Sequence, residues 1–201
     1  MNILNSPFKY PFELLISLTN STKLFSLIST KWILLGLRLI ISFAIVWPIA
    51  PAASKFKNEL LNDPDTPVGA NVKGDVTIVE FFDYRCGYCK RVFPDIIKVL
   101  NTDKNIRYVF KEFPILGPES VTASKAALAA WSLDKTKYMA LHKALMESKG
   151  GLPEGRVLDF ATKAGYDAVA LKTAMKDSKI DDLIAKNFEL AKAFDINGTP
   201  A

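Results

Sequence analysis

From residue 76 onward, the spacing of apolar and polar positions divides the chain into a front part with strand character and a long helical remainder. Val76–Phe82 (VTIVEFF) is short, β-branched and aromatic, and predicts a strand. After it, Cys89, Val92, Phe93, Ile96, Ile97 and Leu100 recur at helical spacing. A helix is therefore predicted from Cys86 to Leu100, kinked by Pro94. Ile106–Phe113 predicts a second strand. Strand, helix and strand at this spacing form a βαβ unit, which favours a parallel pair with a right-handed crossover. From Pro118 to Phe194 no strand-like alternation interrupts the pattern. Starts at Asp134 and Pro153 and stops at Gly150-Gly151 and Gly165 mark out helices over Ser120–Trp131, Thr136–Lys149, Glu154–Ala164, Ala168–Lys176 and Ile180–Phe194. Asn197-Gly198-Thr199-Pro200 then predicts a turn into a new element.

Upstream, residues 54–75 are polar and turn-rich, with Pro64, Pro67, Gly69 and Gly74, and read as a linker entering a domain. Residues 1–53 read as a leader. Ile33–Trp47 is apolar apart from Gly36, Arg38 and Ser42, Lys31 precedes it, and Ala50-Pro51-Ala52 has the small-x-small form of a processing site. Three readings stand: an export signal cut after Ala52 or Ala53, a retained anchor in which Trp32–Ala53 supplies the ~20 residues of a membrane helix, or a buried helix of a soluble protein. Charge follows the same division. Of the net +5, the leader holds Lys9, Lys23, Lys31 and Arg38 against Glu13, or +3, so only +2 is spread over the body. A near-neutral body with scattered lysines and aspartates argues against a nucleic-acid-binding surface.

The chemistry concentrates at the two cysteines, Cys86 and Cys89. Two thiols and the single histidine, His142, do not furnish the four ligands of a structural zinc site, so no metal is expected. His142 lies within a predicted bundle helix, far in sequence from the thiols, and is assigned to the surface or to core packing. At a helix start, unpaired N–H groups and the helix dipole stabilise an anion. The pKa of an outward-facing Cys86 is then expected to fall from about 8.5 into the roughly 3.5 to 7.5 range of such thiols. Cys89, one turn further in, is expected to be more buried and less acidic, and to resolve a mixed disulfide by attacking Cys86. A static staple is the competing reading, but it would close so short a loop that little unfolded-state entropy is removed. Glu80 places a carboxylate in an apolar strand, on the same face as Val76, Ile78 and Phe82. It is either a buried acid relaying protons to Cys89 or a glutamate reaching solvent. Arg85 either adds positive potential at the thiol or is solvated.

The run VEFFDY, then Cys86-Gly87-Tyr88-Cys89-Lys90, then VFKEFPILGP and an Ala-rich helix, resembles the DsbA-like thiol:disulfide interchange proteins of bacterial envelopes. The resemblance implies an α/β protein: a thioredoxin-like fold over residues 76–201 with an inserted helical domain, 117–196. The strand pair and final helix that complete such a fold would be lacking, leaving an exposed sheet edge and an uncovered apolar face, as in a truncated fragment. It also implies that Pro200 is a cis-proline, binding substrate backbone with Thr199 just before it, and that Glu80 is the family's buried acid. No cofactor is implied beyond a redox-active Cys86–Cys89 disulfide. The implied activity is a periplasmic protein-disulfide oxidoreductase acting on unfolded or newly exported thiol-containing proteins, reoxidised by a membrane partner. If the leader is retained, the enzyme would be anchored to the inner membrane. Gly87-Tyr88 and Thr199 also resemble disulfide isomerases, so isomerase or reductase activity stands as the alternative. A non-catalytic peptide-binding module or inactive fragment is the alternative of another class.

Overall fold

A computed structural model describes residues 54–201, and the leader readings over 1–53 lie outside them. Three strands, β1 (Val68–Ala70), β2 (Val76–Phe82) and β3 (Ile106–Glu112), form a sheet in the order β1-β3-β2. β2 and β3 run parallel, with Val76 opposite Ile106 and Phe82 opposite Glu112. They are joined through helix α2 (Gly87–Thr102), as the βαβ pattern requires. Pro94 lies within α2, which continues to Thr102. Cys89, Phe93 and Leu100 form its buried face against the sheet.

The segment read as a linker is structured. It contains helix α1 (Lys57–Leu61) and β1, which pairs antiparallel with β3. The local sequence resembles a turn because three residues around a glycine carry almost no strand propensity. β1 exists because β3 offers it a free edge. Gly69 is required there: a Cβ would lie 2.7 Å from the Phe110 ring.

The remaining helices are α3 (Pro118–Leu133), α4 (Tyr138–Glu147, entered through a 3-10 turn at Lys135–Lys137), α5 (Glu154–Lys163), α6 (Ala168–Ala174) and α7 (Ser178–Ala193). The predicted helices are all present, with ends displaced by a few residues. α3 is their hub, and α4, α5, α6 and α7 all pack on it. Its Ala123, Ala126, Ala127, Ala129 and Ala130 are fully buried, and these small side chains let the neighbouring helices approach closely. A helix buried on nearly every side must satisfy its polar groups internally, and Ser120 and Ser124 bond to buried carboxylates.

The sheet is covered on both faces. On one, Phe82, Tyr84, Tyr108 and Phe110 join α2 and the helical domain in the main core. On the other, Phe81 and Phe113 pack with Leu190 and Ala191 of α7, flanked by Phe56 and Leu60. Coverage fails along the outer edge of β2, where Val76 and Ile78 are exposed beside Val99 of α2. A groove of about 350 Å³ runs there, lined by Ile78, Val92, Ile96, Val99 and Tyr108. An exposed edge is thus present among the described residues, whereas the apolar faces are covered except at Val76 and Ile78. Near its end the chain takes up part of that edge: Phe81 and Ala201 exchange two backbone hydrogen bonds, at 2.9 and 3.1 Å.

Candidate active site

Cys86 is the N-cap of α2, with extended backbone. Its Sγ occupies the position a serine or aspartate oxygen usually fills, accepting the N–H of Cys89 at 3.4 Å. The turn that presents it is fixed by Asp83, a fully buried carboxylate. Asp83 accepts the N–H groups of Arg85 (2.7 Å) and Leu116 (3.0 Å) and the Ser120 hydroxyl (2.8 Å), while its carbonyl accepts the Cys86 N–H.

Opposite the thiol lies the Thr199-Pro200 peptide, which is cis. Cys86 Sγ–H donates to the Thr199 carbonyl at 3.3 Å. The structure thus brings together Cys86, Cys89, Thr199 and Pro200, which sequence reasoning had grouped. Cys86 was expected to face outward, yet it is only 6% exposed. The Thr199 contact accounts for part of this cover, since it reaches across 113 positions of sequence.

Both cysteines are free thiols, so this is the dithiol form. Burial pushes the Cys86 thiol up, but hydrogen bonds from the Thr199 side chain and from the N–H groups of Cys89 and Tyr88 outweigh it. The net shift is below the ordinary thiol value. The bond to the Thr199 carbonyl opposes this, because it needs the proton, and it is lost on ionisation. Cys89 is 1% exposed, and burial pushes its thiol up to about 12. The two sulfurs therefore differ as an attacking and a resolving thiol should.

Glu80 is buried, and its carboxylate accepts the Tyr108 hydroxyl at 2.9 Å. Burial raises its pKa to about 7, the Tyr108 bond partly opposing the rise. Tyr108 is influenced by both Glu80 and Cys89, which places the acid and the inner thiol in one electrostatic neighbourhood. Arg85 is neither free nor aimed at the thiol. It pairs with Glu119 at 3.3 Å and donates to the Leu116 carbonyl at 2.9 Å.

A second polar cluster lies in the core below. Glu112 is fully buried, accepting the Tyr84 hydroxyl at 3.0 Å and the Ser124 hydroxyl at 2.7 Å. Burial drives its pKa well above the carboxylate range. Tyr84 also meets His142 Nδ1 at 2.9 Å, and Phe82, Phe93, Phe110 and Tyr138 surround the imidazole. His142 is thus a core residue, packed rather than at the surface. Sequence reasoning missed Asp83, Tyr84 and Glu112. The one local signal was a charged residue next to or within an apolar strand.

The family model of the DSBA-like thioredoxin domain matches residues 77–201. The chain belongs to that family. It is 43% identical to a thioredoxin-like oxidoreductase from Silicibacter pomeroyi, with a TM-score of 0.68, over 71% of this chain and 82% of that one. It is 35% identical to the thiol-disulfide exchange protein α-DsbA2 from Wolbachia pipientis, with a TM-score of 0.70, over 75% and 81% of the two chains. Among curated relatives it is 28% identical to the thiol:disulfide interchange protein DsbA of Burkholderia cepacia, over 84% of this chain and 79% of the relative. It also matches the Na(+)/H(+) antiporter NhaA 1 of Salinispora arenicola at 29% identity, and there it spans only 21% of the relative's length.

Proposed function

We propose that this chain is a thiol:disulfide oxidoreductase that forms disulfides in exported proteins by exchange through Cys86 and Cys89. It would act in the bacterial periplasm on unfolded or newly exported proteins, and a membrane partner would reoxidise its dithiol. One observation carries the reading: the N-cap sulfur of α2 meets both the Cys89 N–H and the Thr199 carbonyl beside a cis-proline.

In the oxidised form a substrate thiolate attacks Cys86 Sγ. The Cys86–Cys89 bond breaks, and Cys89 leaves as a thiolate. A second substrate thiolate then attacks the substrate sulfur of the mixed disulfide, expelling Cys86. Two electrons pass from the substrate dithiol to the enzyme. The depressed Cys86 pKa makes it a good final leaving group. Cys89, whose thiol holds its proton up to about pH 12, must be reprotonated, and Glu80, titrating near 7, is suited to supply that proton. Thr199 and Pro200, whose cis peptide lies beside the sulfur, would bind the substrate backbone.

Oxidation of a reduced, unfolded protein by the oxidised chain tests this reading. Cys86→Ser should abolish it, and retained activity in that variant would overturn the mechanism. Gly87-Tyr88 and Thr199 favour isomerisation or reduction as a second reading. Faster recovery of a scrambled-disulfide substrate than of a reduced one would select it.

A further inference from the structure

The turn that carries the Cys86 sulfur is tied to the helical domain through one buried side chain. Asp83 Oδ1 accepts the Arg85 N–H and the Ser120 hydroxyl, and Oδ2 accepts the Leu116 N–H. An aspartate turn needs only the N–H two residues on. The other two donors come from 33 and 37 positions away, at the entrance to α3. Arg85 reinforces the tie through the Leu116 carbonyl and Glu119, and Glu119 in turn accepts the Leu152 N–H at 3.0 Å. Asp83 also meets both cysteines. Its carbonyl accepts the Cys86 N–H at 3.0 Å, and its main chain hydrogen-bonds to the Cys89 thiol.

We propose that Asp83 is a positioning residue for exchange: by gripping the entrance to α3 it holds the Cys86 sulfur at the head of α2, so that the seating of the helical domain governs how reactive the thiol is. The inference rests on the oxidoreductase reading and deepens it. Hydrogen bonds weaken steeply with misalignment, so the Cys89 N–H, 3.4 Å from Cys86 Sγ, stabilises a thiolate there only while the turn keeps its place. Freeing the turn must therefore make Cys86 less reactive. Loss of the Asp83 negative charge alone would act the other way, since removing an anion near a thiol favours the thiolate. The direction of the change separates positioning from charge.

The test is the rate at which iodoacetamide alkylates Cys86 in the reduced full chain at about pH 6, the site being located by peptide mass and thermal stability followed beside it. Asp83→Ala should slow the reaction about tenfold, as a one-unit rise in the thiol's pKa would. A matched pair of variants leaves Asp83 in place. Ser120→Ala and Thr66→Val each remove one hydroxyl from a buried charged group, Asp83 in the first case and Lys111, on a different part of the fold, in the second. Both should lower thermal stability, yet Ser120→Ala should slow alkylation about threefold while Thr66→Val stays within about 1.5-fold of wild type. Unchanged or faster alkylation in Asp83→Ala overturns the proposal. Equal rates in Ser120→Ala and Thr66→Val overturn it too, and that pair decides the matter if Asp83→Ala does not fold. If wild-type Cys86 alkylates no faster than glutathione at the same pH, the oxidoreductase reading fails instead, and the proposal with it.

Discussion

Replacing Glu80 with glutamine should stabilise the fold above neutral pH while slowing exchange. Glu80 is a buried residue of β2, with the Tyr108 hydroxyl as its hydrogen-bond donor and no cationic partner among the described residues. Burial therefore favours the neutral acid and lifts the pKa from 4.5 to about 7. An acid whose pKa is raised on folding keeps its proton in the native state after the unfolded chain has lost it. Stability is then highest below about pH 4.5, falls from about 4.5 to 7, and is level above that. At ~1.36 kcal/mol per pH unit the drop is about 3 kcal/mol. Glutamine mimics the neutral acid and can still accept the Tyr108 hydroxyl. Urea unfolding of wild type and Glu80→Gln should agree at about pH 4 and differ by about 3 kcal/mol, in favour of the variant, at about pH 8. The same variant should turn over more slowly wherever Cys89 reprotonation limits the rate. A stability difference that does not change with pH would refute the buried-acid argument. Undiminished turnover would remove Glu80 from the proton path.

His142 carries the opposite sign. Burial lowers its pKa from 6.5 to about 3, so the unfolded chain takes up a proton that the fold rejects, and stability is lost as pH falls from about 6.5 to 3. His142→Phe should remove up to about 5 kcal/mol of that acid sensitivity. An unchanged acid slope in urea unfolding would show that the imidazole is not held neutral. Phe82 is fully buried among Tyr84, Phe110 and His142, and Phe82→Ala should cost about 3–5 kcal/mol in the same assay. A loss below about 1 kcal/mol would mean that this core repacks around the cavity.

The elements that carry their own periodicity were legible in the chain. β2 was predicted with its observed ends, because VTIVEFF combines β-branched and aromatic residues without a break. α2 was anticipated because its core face recurs at helical spacing, with the cysteine at its start. β1 was not legible. Val68–Ala70 has no strand signal of its own, and its hydrogen bonds come from β3, some 40 residues downstream. The dithiol and the cis-proline were legible as a motif and as a resemblance, whereas the cover over Cys86 was not, because the contact spans 113 positions. The same holds for Asp83, which reads as an ordinary acid at a strand end until Leu116 and Ser120 arrive 33 and 37 residues later to bond to it. Arg85 stood undecided between two roles and has a third, tying the cysteine turn to Glu119 and Leu116.

The central claim is that Cys86 is made acidic by the Thr199 side chain and by its place at the head of α2, while Cys89 is held protonated by burial. Following thiolate absorbance with pH in the reduced chain, with Cys89→Ser isolating Cys86 and Cys86→Ser isolating Cys89, tests it directly. The account predicts that Cys86 titrates below an ordinary thiol and that Cys89 resists ionisation until about pH 12. Two thiols titrating together near the ordinary value, or Cys89 ionising first, would contradict it.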